Sequence, residues 1–297
     1  MALTLGPLAF NWSPTAWRDF YFRIADEAPV ADVYVGEVVC SKRSIFTEKL
    51  YPPVVNRLAT AGKRVIRSTL ATVFLPGDRA IVAQLCSNPG ELVEANDVAA
   101  LFHLRGRRHH IGPFLNVYNE RTLEVLVRQG ADNVCLPAEI PADVIRRICT
   151  AARASGATVE VQSFGRMSLA VSGRCYHARA HGKTRDGCQF VCDREPDGLL
   201  LETRDDVPFL VVNGNQVLSF TWLNLLGAIG DLRRAGVTRL RLAPHSCDMV
   251  QVARIFRRVA DEDMSGDEGI VRLRAVAPDA TFANGFLAGR PGHSWVG

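Results

Sequence analysis

Three cysteines are crowded into one short stretch, residues 175–192, which reads CYHARAHGKTRDGCQFVC. Cys188 and Cys192 are four residues apart, so a helical turn between them would place both sulfurs on one face. Grouped thiolates are ligands for zinc or for an iron–sulfur cluster, and both normally take four protein ligands. The stretch containing Cys175, Cys188 and Cys192 therefore predicts a metal or cluster site that needs one more ligand.

Cys40 is the candidate for that fourth ligand. It lies in the sequence GEVVCSKR at residues 36–43, where a carboxylate, a thiol and two cations share one predicted loop. A lone cysteine is otherwise more commonly a small buried hydrophobic residue. His177 or His181 could instead complete a site with the three sulfurs. The spacing alone leaves zinc and an iron–sulfur cluster both open.

The other four cysteines have no polar side chains arranged around them. Cys135 lies inside an apolar strand and Cys149 on an apolar helix, so we predict that both belong to the core. Cys86 and Cys247 lie near predicted loops and are weaker candidate ligands. In a reducing compartment these cysteines do not indicate a disulfide framework.

Composition indicates a globular protein. The chain has 297 residues, of which 47% are hydrophobic and 22% charged, enough for one large or two ordinary domains. The net charge of +4 is spread along the sequence without a basic stripe, so we expect no nucleic-acid partner. The first residues lack the pattern of a signal peptide, and no apolar run is long enough for a transmembrane segment. We therefore expect a cytoplasmic protein.

Short apolar runs alternate with stretches of helical spacing along most of the chain. The predicted strands are 3–10, 31–35, 64–70, 92–95, 110–117, 133–137, 157–163 and 238–242. The predicted helices are 15–28, 51–61, 120–129, 142–155, 222–235 and 249–261. Eight such units predict a single (βα)8 TIM-barrel-like domain over residues 1–297. The alternative is an open doubly wound sheet, but the first strand is not followed by the GxGxxG of a dinucleotide site.

Residues 165–207 interrupt this alternation. They hold the three clustered cysteines and show no clear amphipathic period, so we predict a cysteine-bearing insertion after the seventh strand. A hairpin is predicted directly after it, because Asn213-Gly214 separates two β-rich runs at 209–212 and 216–219.

Polar residues at the strand ends could line a pocket, since ligands of such barrels collect at the carboxyl ends of the strands. The candidates are Glu94, Asp97, Asn116, Asn119, Glu139, Glu160, Gln162 and Ser163, with Lys42, Arg43 or Arg174 to meet an anion. No Ser/His/Asp spacing or GxSxG motif supports a hydrolase. Catalytic residues stay unassigned, and Glu37 and Arg43 are the first positions to test.

The chain resembles the collagenase-like peptidase family over nearly its whole length. The resemblance rests on Leu5-Gly6-Pro7, GEVVCSKR at 36–43, SGRC at 172–175, the pair Cys188-x3-Cys192 and Asn284-Gly285-Phe286. One segment departs from the family. Its peptidase-like branches carry F-x-H-G-[AS]-[LM]-C, whereas this chain has Phe164 in place of the His and Ser168 in place of the Cys.

Within that family the chain is most similar to a branch that takes part in ubiquinone biosynthesis. The resemblance implies one 4Fe-4S cluster bound by Cys40, Cys175, Cys188 and Cys192. It also implies a heterodimer with the related protein UbiU, cooperation with the lipid carrier UbiT, and oxygen-independent hydroxylation of a ubiquinone precursor with prephenate as oxygen donor. The chain would then be a subunit of a hydroxylase. The family offers two alternatives, a peptidase and an RNA-modification factor.

Overall fold

The structure, a computed structural model, describes residues 1–297. Its strands are β1 (Ala2–Leu5), β2 (Asp32–Val35), β3 (Arg64–Ser68), β4 (Val93–Ala95), β5 (His109–Ile111), β6 (Ala131–Leu136), β7 (Thr158–Val171), β8 (Leu199–Glu202), β9 (Pro208–Asn213), β10 (Gln216–Asn224), β11 (Arg239–Leu242) and β12 (Phe282–Ala283). Its α-helices are α1 (Pro14–Glu27), α2 (Ser44–Thr47), α3 (Tyr51–Thr60), α4 (Pro76–Ser87), α5 (Val98–Leu104), α6 (Glu120–Arg128), α7 (Ala142–Ala154), α8 (Tyr176–Ala180), α9 (Ile229–Ala235), α10 (Met249–Ala260) and α11 (Gly266–Val276).

Eight parallel strands close into a barrel. Strands β1 to β7 pair in sequence order, β11 pairs with β1, and β11 also pairs with β7, which leaves no open edge in this ring. The helices between the strands pack outside it, and one core cluster of 61 buried residues holds the two layers together. The predicted (βα)8 barrel is confirmed, and the alternative of an open doubly wound sheet is wrong.

Local sequence signals begin the helices that cover the barrel. Helix α1 has Pro14 in its first turn, and Ser13 Oγ accepts a hydrogen bond from the backbone N–H of Ala16 at 3.2 Å. Helix α10 buries Met249, Phe256 and six further residues on one face. An amphipathic helix gains its stability by burying such a face, so α10 packs on the barrel. No helix combines the length and apolar character needed to cross a bilayer.

The largest departure from the predicted elements concerns residues 222–235. Residues Trp222–Asn224 continue strand β10, and the helix begins only at Ile229. The aromatic and β-branched residues Phe220, Thr221 and Trp222 favour a strand, and Trp222 pairs with Arg166 of β7. Helical spacing of the apolar residues was therefore misleading at the start of this segment.

Strand β7 belongs to two parts of the molecule. Its first half pairs in parallel with β6 and β11 inside the barrel, and its second half pairs antiparallel with β10 outside it. Strands β8, β9 and β10 form an antiparallel extension, as the predicted hairpin requires. Residues 165–171, predicted to open the inserted segment, instead complete β7. That the cysteine-bearing residues after them are an insertion stays a prediction.

Candidate functional site

Four cysteines from two distant parts of the chain line one small pocket, which we call the cysteine pocket. Cys40 comes from the loop after β2, and the other three come from residues 172–198 between β7 and β8. The remaining lining residues are Lys42, Arg43, Ala178, Arg185, Phe190, Val191, Gly214 and Asn215. No carboxylate lines the pocket, so its possible metal ligands are all sulfur.

The loop after β2 is shaped by Glu37. Its Oε1 accepts hydrogen bonds from the backbone N–H groups of Val39 at 2.8 Å and Cys40 at 2.9 Å. These bonds turn the chain before the short 3-10 helix Ser41–Arg43. Glu37 therefore positions Cys40 through the backbone, which is a structural role for a residue singled out from the sequence.

Contacts across the pocket hold the cysteine-bearing segment against this loop. Lys42 Nζ donates to the carbonyl of Arg185 at 2.8 Å, and the rings of Phe46 and Phe190 meet with centroids 4.6 Å apart. Cys175 is the N-cap of α8, where its Sγ accepts from the backbone N–H of a residue in the first turn at 3.4 Å. The hydrogen bond from the Lys42 ammonium group and the aromatic packing thus hold the segment against the loop, and Cys175 caps helix α8 within the segment.

Arg43 supplies the buried positive charge beside the sulfurs. Only 3% of this residue is exposed, and its guanidinium donates to the carbonyl of Ala9 at 2.8 Å and to Asn213 Oδ1 at 3.0 Å. Gly214 makes room for it, because a Cβ there would lie 2.6 Å from Arg43 Nη2. Burial raises the pKa of the Cys40 thiol, and the nearby Arg43 charge opposes that rise. Arg43 thus favours thiolates in a pocket that would otherwise disfavour them.

The spacing of the sulfurs bears on which group they could bind. No three of the four sulfur atoms all lie within 4.8 Å of one another. Thiolates that share one zinc ion sit about 3.8 Å apart, given Zn–S bonds of about 2.3 Å and tetrahedral geometry. The sulfurs that bind a four-iron cluster attach to different iron atoms and are farther apart. An all-sulfur set without such a compact trio fits a four-iron cluster better than a single zinc ion.

Two histidines named as possible fourth ligands lie outside the cysteine pocket. His177 Nε2 is 2.8 Å from Glu195 Oε2, and His181 Nε2 is 3.5 Å from the other oxygen of that carboxylate. All three side chains offer ligand atoms within 4.8 Å of one another. The backbone N–H of Gly214 donates to His177 Nδ1 at 3.5 Å, so the neutral ring carries its proton on Nε2 and donates it to Glu195. The hydrogen bond between His177 and Glu195 supports α8, and His181 lies beside the same carboxylate without bonding to it.

A larger cavity of about 390 Å³ opens at the carboxyl ends of the barrel strands, and we call it the barrel-mouth cavity. Four predicted strand-end residues line it, namely Glu94, Asn116, Glu139 and Gln162. Three more functional candidates were missed from the sequence, namely Arg166, Arg241 and His245. A cavity therefore lies at the end of the barrel where the sequence predicted one.

The other predicted strand-end residues have structural positions. Asp97 and Asn119 are N-caps, accepting from backbone N–H groups in the first turns of α5 and α6. Glu160 and Ser163 are fully buried and do not line the cavity, and neither does the exposed Arg174.

A buried ion cluster forms the floor of the barrel-mouth cavity. Arg241 Nη2 lies 2.6 Å from Glu94 Oε1 and 3.0 Å from Glu160 Oε2, and the two carboxylates are fully buried. Burial by itself raises the pKa of Glu160, but the charge and hydrogen bonds of Arg241 outweigh it and lower that pKa to about 2. Tyr34 and Asn133 donate to the same carboxylate. Glu160 is therefore ionised, and both buried carboxylates are bonded to Arg241.

His245 makes a hydrogen bond through one ring nitrogen and lies beside a carboxylate with the other. Its Nε2 accepts the backbone N–H of Arg166 at 3.0 Å, and its Nδ1 lies 3.5 Å from Asp197 Oδ1. Gly165, at φ +99°, permits this approach, since a Cβ there would lie 2.9 Å from the ring. Because the backbone N–H engages the Nε2 lone pair, the neutral ring carries its proton on Nδ1 beside Asp197, and His245 is not available as a general base. The cavity contains no Ser–His or Cys–His hydrogen bond of the kind that activates a nucleophile.

The remaining cysteines lie away from both sites. Cys135 and Cys149 are buried, as predicted. Cys86 is also buried and lies in helix α4, not in a loop, and Cys247 is half-buried beyond the end of β11. Neither lines the cysteine pocket.

Comparison with known proteins identifies relatives of the chain. Residues 13–297 match the profile of Peptidase family U32. A collagenase of Porphyromonas gingivalis is 25% identical over 228 residues, which cover 72% of this chain and 50% of the collagenase. The chain therefore spans about half the length of this curated relative.

Two solved structures align with the chain at low similarity. A candidate fructose-1,6-biphosphate aldolase of Coccidioides immitis is 10% identical, covering 94% of this chain and 87% of its own, with a TM-score of 0.41. A soluble mutant of (S)-mandelate dehydrogenase from Pseudomonas putida is 10% identical. The alignment covers 93% of this chain and 73% of the dehydrogenase, with a TM-score of 0.34. These scores support no conclusion about activity. The match over residues 13–297 does settle the family: the chain belongs to Peptidase family U32.

Proposed function

We propose that this protein is an iron–sulfur subunit of an oxygen-independent hydroxylase of the ubiquinone ring, similar to the ubiquinone biosynthesis protein UbiV. One 4Fe-4S cluster would be bound by Cys40, Cys175, Cys188 and Cys192. The observation that carries the proposal is the convergence of these four thiols, and of no carboxylate, on one pocket. Four cysteine ligands are the usual set for such a cluster.

When bound, the cluster would supply one-electron chemistry, because complete cysteine ligation leaves no open iron position for a substrate. The protein residues around it set its charge and hydrogen bonding. Lys42, Arg43 and Arg185 offset negative charge in the pocket, and Asn11 Nδ2 donates to Cys192 Sγ at 3.4 Å. Such donors stabilise the more negative, reduced state of a cluster. We therefore favour electron transfer or a structural redox role.

The barrel-mouth cavity is the proposed substrate site. A chain of hydrogen bonds links it to the cysteine pocket. Asn213 accepts a hydrogen bond from Arg43 and donates one to Gln216 at 3.3 Å. Gln216 in turn donates to Ser168 at 3.0 Å. Gln216 and Ser168 both line the cavity. A ubiquinone precursor and prephenate are the proposed ligands, UbiU the proposed heterodimer partner and UbiT the proposed lipid carrier.

Metal analysis of protein purified without oxygen tests the cluster. We expect a brown protein with about four iron and four sulfide per chain. Cys40→Ala should lose most of the iron, whereas Cys247→Ala, which removes a half-buried cysteine outside the pocket, should keep it. A colourless wild-type protein with one zinc, or full iron in Cys40→Ala, would contradict the assignment.

Genetic complementation tests the pathway separately. Cells that lack this chain should regain ubiquinone synthesis without oxygen when they express the wild-type protein, but not when they express Cys40→Ala. UbiU should co-purify with the wild-type chain. Normal anaerobic ubiquinone synthesis in cells without the chain would exclude the proposed role even if the cluster is present.

Membership of Peptidase family U32 makes a peptidase the second candidate. Against it stand the absence of a paired nucleophile and base in the barrel-mouth cavity and the engagement of His245 Nε2 by a backbone N–H. Cleavage of denatured collagen by cluster-free protein, with loss of that activity in Ser168→Ala, would favour this alternative. An RNA-modification factor is the third family role, and salt-dependent RNA binding would support it.

A further inference from the structure

Arg166 carries a positive charge that no carboxylate in the protein pairs with. It lines the barrel-mouth cavity, yet no Asp or Glu oxygen lies within 4.0 Å of its guanidinium. Its Nε is buried without a hydrogen-bond partner. Burial lowers the pKa of Arg166 to about 10, and the distant charge of Asp197 only partly opposes this effect. A partly desolvated cation of this kind is costly unless an anion compensates it.

An irregular strand holds Arg166 in place despite the free energy that its desolvation costs. Strand β10 pairs Leu218 with Ser168 and Trp222 with Arg166, so three residues of β10 bulge out opposite a single residue of β7. Arg166 Nη1 donates to two carbonyls of this bulge, that of Ser219 at 3.1 Å and that of Phe220. Bulges commonly redirect a side chain beside a functional site.

The backbone of Arg166 is fixed as well. Its N–H donates to His245 Nε2 at 3.0 Å, and its carbonyl accepts from Gln162 Nε2 at 2.9 Å. The guanidinium also lies over the ring of Trp222, with Cζ 5.5 Å from the ring centroid. None of these partners carries a negative charge, so Arg166 is positioned but not neutralised.

Ser168 presents a second donor from the same face of β7. Residues two apart on a strand point to the same side, and both Arg166 and Ser168 line the cavity. Gln216 Nε2 donates to Ser168 Oγ at 3.0 Å, so the serine oxygen already acts as an acceptor. No protein atom accepts the serine hydroxyl proton, which leaves it free to bind a ligand in the cavity.

The other arginine of the cavity does not offer this chemistry. Arg241 is engaged by the buried carboxylates of Glu94 and Glu160. Arg166 is therefore the cavity's available cation.

We propose that Arg166 and Ser168 form an anion-binding site for a carboxylate or phosphate group of the ligand that enters the barrel-mouth cavity. The body of that ligand would lie against apolar walls that include Phe10, Phe114 and Leu218. A planar guanidinium with an adjacent hydroxyl donor suits an oxyanion. The proposal goes beyond the function proposed above and does not depend on a cluster, since neither residue lines the cysteine pocket.

A matched pair of probes, benzoate and its neutral analogue benzamide, tests the site by NMR titration of the full-length protein as purified, whatever its iron content. We expect wild-type protein to bind benzoate at least tenfold more tightly than benzamide. Arg166→Met should abolish this preference and leave benzamide binding unchanged, and Ser168→Ala should weaken benzoate binding several-fold. Arg174→Met removes an exposed arginine of the neighbouring loop and should change neither affinity.

Inorganic phosphate distinguishes the two kinds of anion. Displacement of benzoate by millimolar phosphate would assign a phosphate-binding site, and persistence of benzoate would assign a carboxylate site. Equal binding of benzoate and benzamide, no binding of benzoate, or wild-type benzoate affinity in Arg166→Met would overturn the proposal. Iron content and thermal unfolding are measured for every variant. Arg166→Lys, which keeps the charge, should bind benzoate more tightly than Arg166→Met, and equal affinities of these two variants would also count against the site.

Discussion

Two arginines share the barrel-mouth cavity but stand in opposite electrostatic situations. Arg241 on β11 is 4% exposed and bonded to two buried carboxylates, whereas Arg166 on the outer half of β7 is bonded only to neutral groups. The regular barrel thus keeps its charges paired, and the irregular extension carries one unpaired charge. The difference separates a charge that stabilises the fold from one that is available for binding.

Removing the paired charge should have the largest effect on stability. Arg241→Met leaves Glu94 and Glu160 buried without their cation, and breaking a buried pair in this way costs about 3–5 kcal/mol of unfolding free energy. Urea unfolding measures the loss, with Arg174→Met as the control for removing an exposed arginine. The triple variant that also carries Glu94→Gln and Glu160→Gln should recover part of the loss. A cost under about 1 kcal/mol would show that the cluster is not structural.

Acidification should weaken the barrel interior next. His110 is buried, and burial lowers its pKa from 6.5 to about 4. The charges of Asp132 and Glu160 oppose this shift, whereas those of Arg239 and Arg64 add to it. The unfolded chain takes up this proton near pH 6.5 and the folded chain only near pH 4. The contribution of His110 to the free energy of unfolding is therefore fully present above pH 6.5. It is lost as the pH falls toward 4, by on the order of 3 kcal/mol.

Urea unfolding of wild type and His110→Gln between pH 7.5 and 4.5 isolates this contribution. The wild type should lose stability more steeply than the variant, because the glutamine does not titrate. Parallel pH profiles for the two proteins would assign the acid sensitivity to other groups.

Removing the unpaired charge should have the smallest effect on stability. Arg166→Met gives up hydrogen bonds to bulge carbonyls but breaks no ion pair and relieves a desolvated cation, so we expect a change under about 1 kcal/mol. The same urea measurements apply. A loss as large as that of Arg241→Met would make Arg166 a structural residue and erase the distinction between the two regions.

Much of the barrel was predictable because its short strands and helices alternate in a regular way. The two arginines were harder to predict for different reasons. Arg166 lies in the stretch interpreted as an insertion, and only the bulge in β10 reveals its position. Arg241 had a usable signal, since the sequence RLRL of β11 alternates cations with leucines in a barrel strand whose two faces are both covered. A cation facing the interior of such a barrel requires buried carboxylates nearby.

The cysteine pocket shows a similar limit. The loop sequence and the resemblance named Cys40, and the structure places it with Cys175, Cys188 and Cys192. The sequence offered no distances between the sulfurs, so it left zinc and a cluster equally open. It also could not reveal that Arg43 and Cys192 would line one pocket, because the two residues come from segments far apart in the chain.

Strand β7 belongs both to the barrel and to the extension, so the order of synthesis determines when the cysteine pocket can form. Cys40 is made early in translation, but its three partners follow β7, and the pocket also needs Gly214 and Asn215. The barrel that supports β7 closes only after β11 has been synthesised. A growing chain therefore lacks the closed ring that supports the pocket until β11 is made, so we expect the proposed cluster to be inserted only after the barrel has folded.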